Sequence, residues 1–140
     1  MKILLAVDGS SYTKRMLAWL TTHEEWLTSP HEYTVLTVVT PIPPHAASMF
    51  TADQLKSYYE DTADGIFKPI RKFTAKHDLA TNYVSKVGHA PEVIAKLAEK
   101  GKHDLIIMGS HGHSNLLNLI TGSVATQVLA RSKLPVLLVR

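Results

Sequence analysis

Apolar positions along the chain fall into two alternating kinds of run. Ile3 to Val7, Tyr33 to Val39, Leu105 to Met108 and Pro135 to Val139 are short and nearly continuous, as expected of strands covered on both faces. Between them, apolar residues recur every three or four positions, the spacing of one helix face. Thr13, Met16, Leu17 and Leu20 follow a break at Asp8-Gly9-Ser10, and Leu55, Tyr59, Thr62, Ile66, Ile70 and Phe73 make the longest stripe. Val93, Ile94, Leu97 and Ala98 run up to Gly101, and Val124, Ala125, Val128 and Leu129 form the last. Ala80 to Val87 is a more polar strand, which suits a sheet edge.

Punctuation refines this pattern. Pro30 ends the first helical region, and Pro41, Pro43 and Pro44 predict an extended loop to about Phe50. Thr51 with Gln54 reads as a capping box for the long helix, inside which Gly65 and Pro69 predict a kink or break near Pro69. Pro91 stands where a first helical residue belongs. Strand and helix in alternation predict one α/β domain over residues 1–140, an open five-stranded parallel sheet with helices on both faces. Two strand orders fit, 3-2-1-4-5 and 2-1-3-4-5. In the first, the chain reverses between strands one and four, and ligands of such sheets bind at that reversal. The loops at Asp8-Gly9-Ser10 and Gly109 to Gly112 then converge on one crevice.

Gly109-Ser110-His111-Gly112, nine residues and then Gly122-Ser123 carry the candidate chemistry. Glycines let backbone N–H groups approach an anion, and the helix opening at Ser123 adds unpaired donors and a favourable dipole. Together they predict a cradle for a phosphorylated ligand. Asp8 either faces that ligand or caps the first helix. His111-x-His113 is spaced like a metal pair, but no third ligand lies near it in sequence, so no metal site is assigned. Leu116, Leu117, Leu119 and Ile120 are read as core contacts or a flap over the ligand, and Trp19 and Trp26 as packing residues. No Gly-x-Ser-x-Gly, Walker-type Gly-Lys-Ser/Thr or His-Glu-x-x-His motif occurs, and no base is flagged to activate water. No catalytic residue is assigned.

Composition narrows the class. With 45% apolar residues, a chain of 140 residues can bury a full core. Its net charge of +3 is modest and its basic residues are scattered, apart from Lys68, Arg71, Lys72 and Lys76 on one helix, read as a solvated face. Neither nucleic acid nor membrane is therefore expected as a partner. Cysteine is absent, which excludes disulfides and thiolate metal sites. The first apolar run is too short for a signal peptide, and the expected location is the cytoplasm.

These residues resemble the universal stress protein family. Its nucleotide-binding members carry Gly-x2-Gly-x9-Gly-Ser/Thr after the fourth strand, which Gly109, Gly112, Gly122 and Ser123 match without a gap. Ala6 to Ser10, Gly88 to Ile94, Asp104 to Gly112 and Leu134 to Val139 resemble family segments in the same order. The resemblance implies the 3-2-1-4-5, Rossmann-like sheet and bound ATP, ADP or AMP. It places Asp8 near the ribose or the phosphate-bound metal, and Val38 against the adenine through its backbone. Gly109, Ser110, Gly112, Gly122 and Ser123 would then surround the phosphates, with amides from Ser123 and Val124 and ring donors from His111 and His113. Mg²⁺ carried on the phosphates would balance the remaining charge. Thr13 stands where many relatives have serine. Pairing of strand 135–139 with its twin implies a homodimer, consistent with an apolar edge that proteins rarely leave open. The function implied is a nucleotide-binding sensor or regulatory module of a stress response; the alternatives are a slow ATP hydrolase using the same pocket and a scaffolding homodimer with an empty one.

Overall fold

The computed structural model describes residues 1–28, 30–113 and 120–140. Its strands are β1 (Lys2–Ala6), β2 (Glu32–Val39), β3 (Thr81–Val87), β4 (Leu105–Gly109) and β5 (Val136–Val139), all parallel in the order 3-2-1-4-5. The order with strand one beside strand three is thereby excluded. Helices α1 (Ser11–Thr21), α2 (Glu24–Thr28), α3 (Pro44–Ala47), α4 (Ala52–Lys76), α5 (Ala90–Lys100) and α6 (Ser123–Arg131) connect and cover the strands.

Side-chain alternation along β1 divides the core. Ile3, Leu5 and Val7 join Met16, Leu20, Phe67 and Ile70 beneath α1 and α4. Leu4 and Ala6 point the other way, into a cluster with Ile94, Ala98, Ala125 and Val128 of α5 and α6. The unbroken apolar run is therefore two interleaved half-patterns, one for each face. Trp19 and Trp26 pack against the α1/α4 cluster, as expected of packing residues. The polar strand β3 lies at the sheet edge, as its composition suggests.

Three features depart from the sequence pattern. The Pro41 to Phe50 stretch is not wholly extended, because Pro44 opens the short helix α3. The short α2 carries no buried residue, so no apolar stripe announces it. Helix α4 also continues unbroken through Pro69, which is exposed. The carbonyl that proline would crowd belongs to Gly65, where a Cβ would meet nothing within 4 Å, so the solvent side has room to adjust. The capping box at the start of α4 is complete: Thr51 Oγ1 accepts from Gln54 N–H at 3.1 Å and Gln54 Oε1 from Thr51 N–H at 2.9 Å. Leu129, placed in the last apolar stripe, is 48% exposed.

Tyr33 is buried at the foot of β2 and donates its hydroxyl hydrogen to the Trp26 carbonyl. Burial pushes its pKa from 10.0 to about 12. The folded state thus holds this proton more tightly than the unfolded chain, so unfolding gains from ionisation as pH rises through that interval. Denaturation midpoints should fall between pH 10 and about 12, and Tyr33→Phe should flatten that fall. An unchanged slope in the variant would show that other groups control alkaline unfolding.

Candidate functional site

A cavity of about 240 Å³ opens at the carboxyl ends of β1, β2 and β4, on the side covered by α5 and α6. This is where the chain, having run outward from β1 to β3, crosses back to β4. One end is apolar: Ala6, Leu36, Val38, Ala90, Ile94 and Met108 line it. The other holds Asp8, Thr13, Gly109, His111, Gly112, His113, Gly122 and Ser123. No lysine or arginine is among the described residues of its wall.

Asp8 is the first polar residue after β1, and its carboxylate organises the polar end. Oδ1 accepts from Ser10 N–H at 2.9 Å and from Thr13 Oγ1 at 3.1 Å, while Thr13 Oγ1 accepts from Asp8 N–H at 3.2 Å. Ser10 holds the N-cap position of α1 but makes no side-chain capping bond. Asp8 therefore both braces the start of α1 and borders the cavity, so the two readings of this residue combine. Its backbone carbonyl accepts from His113 Nε2 at 2.7 Å, which draws the glycine loop toward β1.

The loop glycines are required by proximity. A Cβ on Gly112 would lie 2.6 Å from Asp8 Oδ2, and one on Gly109 would lie 2.6 Å from Tyr12 Cβ. Ser110 does not line the cavity as expected; it is 1% exposed and its hydroxyl lies 2.9 Å from His111 Nδ1. Its N–H donates to Val139 O at 2.8 Å, and its carbonyl accepts Gly122 N–H at 2.6 Å. Gly122 thus spends its amide on closing the loop, leaving the donors to α6. That helix has Gly122 as N-cap, no side-chain cap and no acidic residue in its first turn. The amides of Ser123 and Val124, in the first turn of α6, have no acceptor within the helix, and both residues line the cavity. On its outer side the loop is supported by Tyr12, whose ring lies 5.0 Å from that of His111, with the Arg15 guanidinium 4.7 Å over Tyr12.

Nine of the ten residues expected at the site therefore border one cavity: Asp8, Val38, Gly109, His111, Gly112, His113, Gly122, Ser123 and Val124. Sequence reading missed the apolar end, because Leu36, Ile94 and Met108 carry the same pattern as any core residue. The signal for Leu36 and Met108 is position near the carboxyl ends of central strands, and for Ile94 its place near the start of α5. Ile120 is 78% exposed and makes no core contact of the kind expected, while Leu116, Leu117 and Leu119 lie outside the described residues. Among the described residues, no three metal-ligating side chains come together and no helix is long and apolar enough to cross a membrane.

The sequence model of the universal stress protein family matches residues 1–140. A universal stress protein of Thermus aquaticus is 31% identical over 99% of this chain and 97% of its own length. Universal stress protein Slr1230 of Synechocystis is 29% identical over 99% of the chain, which spans only 42% of that longer relative. The solved structure of MJ0577, a protein whose biochemical function was assigned from structure, superposes with a TM-score of 0.83 at 29% identity, covering 99% and 94% of the two chains. More distant solved folds carry nucleotides: an Arabidopsis thaliana family member with AMP (TM-score 0.71, 14% identity, 99% and 90% covered) and an Archaeoglobus fulgidus one with dAMP (0.66, 19%, 100% and 98%). A further universal stress protein is in complex with cAMP (0.67, 21%, 100% and 96%).

Because Gly109 is closely packed and Gly65 is not, alanine should separate them. Gly109→Ala forces Tyr12 or the loop to move and should cost about 1–3 kcal/mol, whereas Gly65→Ala should add roughly 0.5–1 kcal/mol. Urea unfolding reads both. Equal effects would mean that the loop tolerates a methyl group and that the close approach is not a constraint.

Proposed function

The chain belongs to the universal stress protein family, and on that premise we propose that it binds an adenine nucleotide and acts as a sensor or regulatory module of a stress response. The observation that carries the reading is the division of one cavity into an apolar recess and a glycine-walled cradle closed by the amides of α6. A purine ring is flat and largely apolar, and suits the recess between Val38, Ile94 and Met108. Phosphate oxygens suit backbone donors at a helix N-terminus. Asp8 Oδ1 is occupied by Ser10 and Thr13, so Oδ2, which faces Gly112, is the atom placed to accept a ribose hydroxyl. Relatives with AMP, dAMP and cAMP support the same ligand class. ATP or ADP would enter with Mg²⁺ on the phosphates, and the cytoplasm is the compartment in which such a sensor meets its ligand.

Slow ATP hydrolysis is the second reading. Asp8 and His111 are the polar groups beside the cradle, yet Asp8 Oδ1 accepts from Ser10 and Thr13, and His111 Nδ1 lies 2.9 Å from the Ser110 hydroxyl. That arrangement supports the reading of binding without efficient turnover. Freshly purified protein, denatured and assayed for released small molecules, should yield an adenine nucleotide that Gly112→Val abolishes, since any side chain there strikes Asp8. Absence of bound nucleotide together with no titratable affinity would overturn the proposal and favour the empty scaffold. Hydrolysis at ordinary enzymatic rates would replace sensor with enzyme.

The second part of the proposal is a homodimer through β5. Among the described residues β5 pairs only with β4, and Val136, Leu137 and Leu138 remain partly exposed. An apolar edge of this kind invites a second strand. Leu138→Lys should convert a dimer to a monomer in light scattering, and an unchanged dimer would place the interface elsewhere.

A further inference from the structure

At the sheet edge opposite β5, we infer that β3 takes up an acidic, extended peptide of a partner protein as an added strand. Among the described residues β3 pairs only with β2. Gly88 N–H donates to Val39 O at 3.1 Å and Ala80 O accepts Tyr33 N–H at 2.9 Å, so the even-numbered residues between them turn their backbone groups toward β2. The amides and carbonyls of Tyr83, Ser85 and Val87 therefore point away from the sheet, in the alternating array that an incoming strand pairs with. A strand end packed under a helix alternates in exposure, yet Ser85, Lys86 and Val87 are exposed in succession. The end of β3 is open on both faces as well as at its edge.

Beside this end lies a groove of about 430 Å³, between β3 and the first turns of α4 and separate from the cavity at the glycine loop. Val39, Ala52, Leu55, Tyr59 and Val87 make it apolar. The Tyr59 hydroxyl is taken by Ile42 N–H at 2.9 Å, so its contribution is the ring. Val87 stays 45% exposed there, apolar area that a side chain of an added strand would cover. The charged rim selects the occupant. Lys86 on β3 and Lys56 on α4 border the groove against one carboxylate, Glu60, which lies 3.9 Å from Lys56 with both side chains mostly exposed. Lys86 makes no ion pair among the described residues. This excess of positive charge complements an acidic strand. It also opposes a second copy, because pairing of twin β3 ends through residues 85–87 is centred on Lys86 and sets like charges opposite each other.

Fluorescence anisotropy on the full chain tests this with a labelled, end-blocked Glu-Val-Glu-Val-Glu-Val peptide and its Lys-Val counterpart. The acidic peptide should bind with a Kd below about 1 mM, at least about fivefold more tightly than the basic one, and more weakly in about 1 M salt. Hydrogen exchange should show the Ser85 and Val87 amides protected in the complex. Lys86→Glu should reverse the preference between the two peptides. Ser85→Pro, which removes one outward donor at an edge where proline is tolerated, should weaken the acidic peptide about tenfold. Circular dichroism confirms that both variants, altered at exposed residues, are folded. Equal binding of the two peptides, an affinity untouched by either variant, or no binding of the acidic peptide overturns the inference. So does self-association that Ser85→Pro abolishes and Leu138→Lys leaves intact, which would give this edge to a second copy.

Discussion

A strand hydrogen-bonded on both edges and covered on both faces has no place for a polar side chain, and β1 is that strand. Ile3, Leu4 and Leu5 are fully buried, β2 and β4 flank it, and α1 with α4 and α5 with α6 close its two faces. Each apolar side chain so buried contributes about 1.5–3 kcal/mol, so the centre of the sheet tolerates little change. After Lys2 at its exposed start, the next polar side chain therefore comes only where the strand runs out, at Asp8. There the Val7 carbonyl accepts the buried Thr37 hydroxyl at 2.9 Å, tying the end of β1 to β2. The crevice exists because burial stops at this point on a strand whose neighbours depart in opposite directions.

Three glycines stand in the wall of the cavity, and two of them, Gly109 and Gly112, are tightly packed against their neighbours. A lysine can reach a phosphate from several ångströms away, but an amide must be carried there by the chain. Gly109 and Gly112 let the loop lie against Tyr12 and Asp8 closely enough to do so. The carboxylate at the crevice is usable because Ser10 and Thr13 fix one of its oxygens and leave the other facing the loop. Thr13 thus matters more than its place in a helical stripe suggests.

The sheet was legible because its signals are local: apolar runs of strand length, stripes at helical spacing, and the Thr51–Gln54 box. The strand order was not, since periodicity alone left two arrangements open and only the resemblance chose between them. Helix α2 was invisible because none of its residues is buried. Pro69 did not end α4, which runs on to Lys76, because the proline lies on its exposed side. At the site, spacing located the glycines but not the division of labour among them. That Gly122 gives its amide to Ser110, and that Ser110 turns inward, depends on the three-dimensional closure of the loop. The apolar end was hidden for the opposite reason, since a side chain lining a recess and one filling a core obey the same pattern.

Loop closure also ties the cradle to the sheet edge. Gly109 is in register with Val139, the Ser110 amide donates to the Val139 carbonyl, and the Ser110 carbonyl accepts from Gly122. The start of the glycine loop, the N-cap of α6 and the last residue of β5 therefore form one hydrogen-bonded chain. A ligand that moves the loop must move β5 with it or break a backbone bond, which costs about 1 kcal/mol or more where water cannot replace the partner. Conversely, a strand added beyond β5 would hold Val139, and through it Ser110, in place. Ligand and partner would then act on the same few backbone groups, so a binding module of this construction can report its occupancy at the sheet edge without any residue devoted to catalysis.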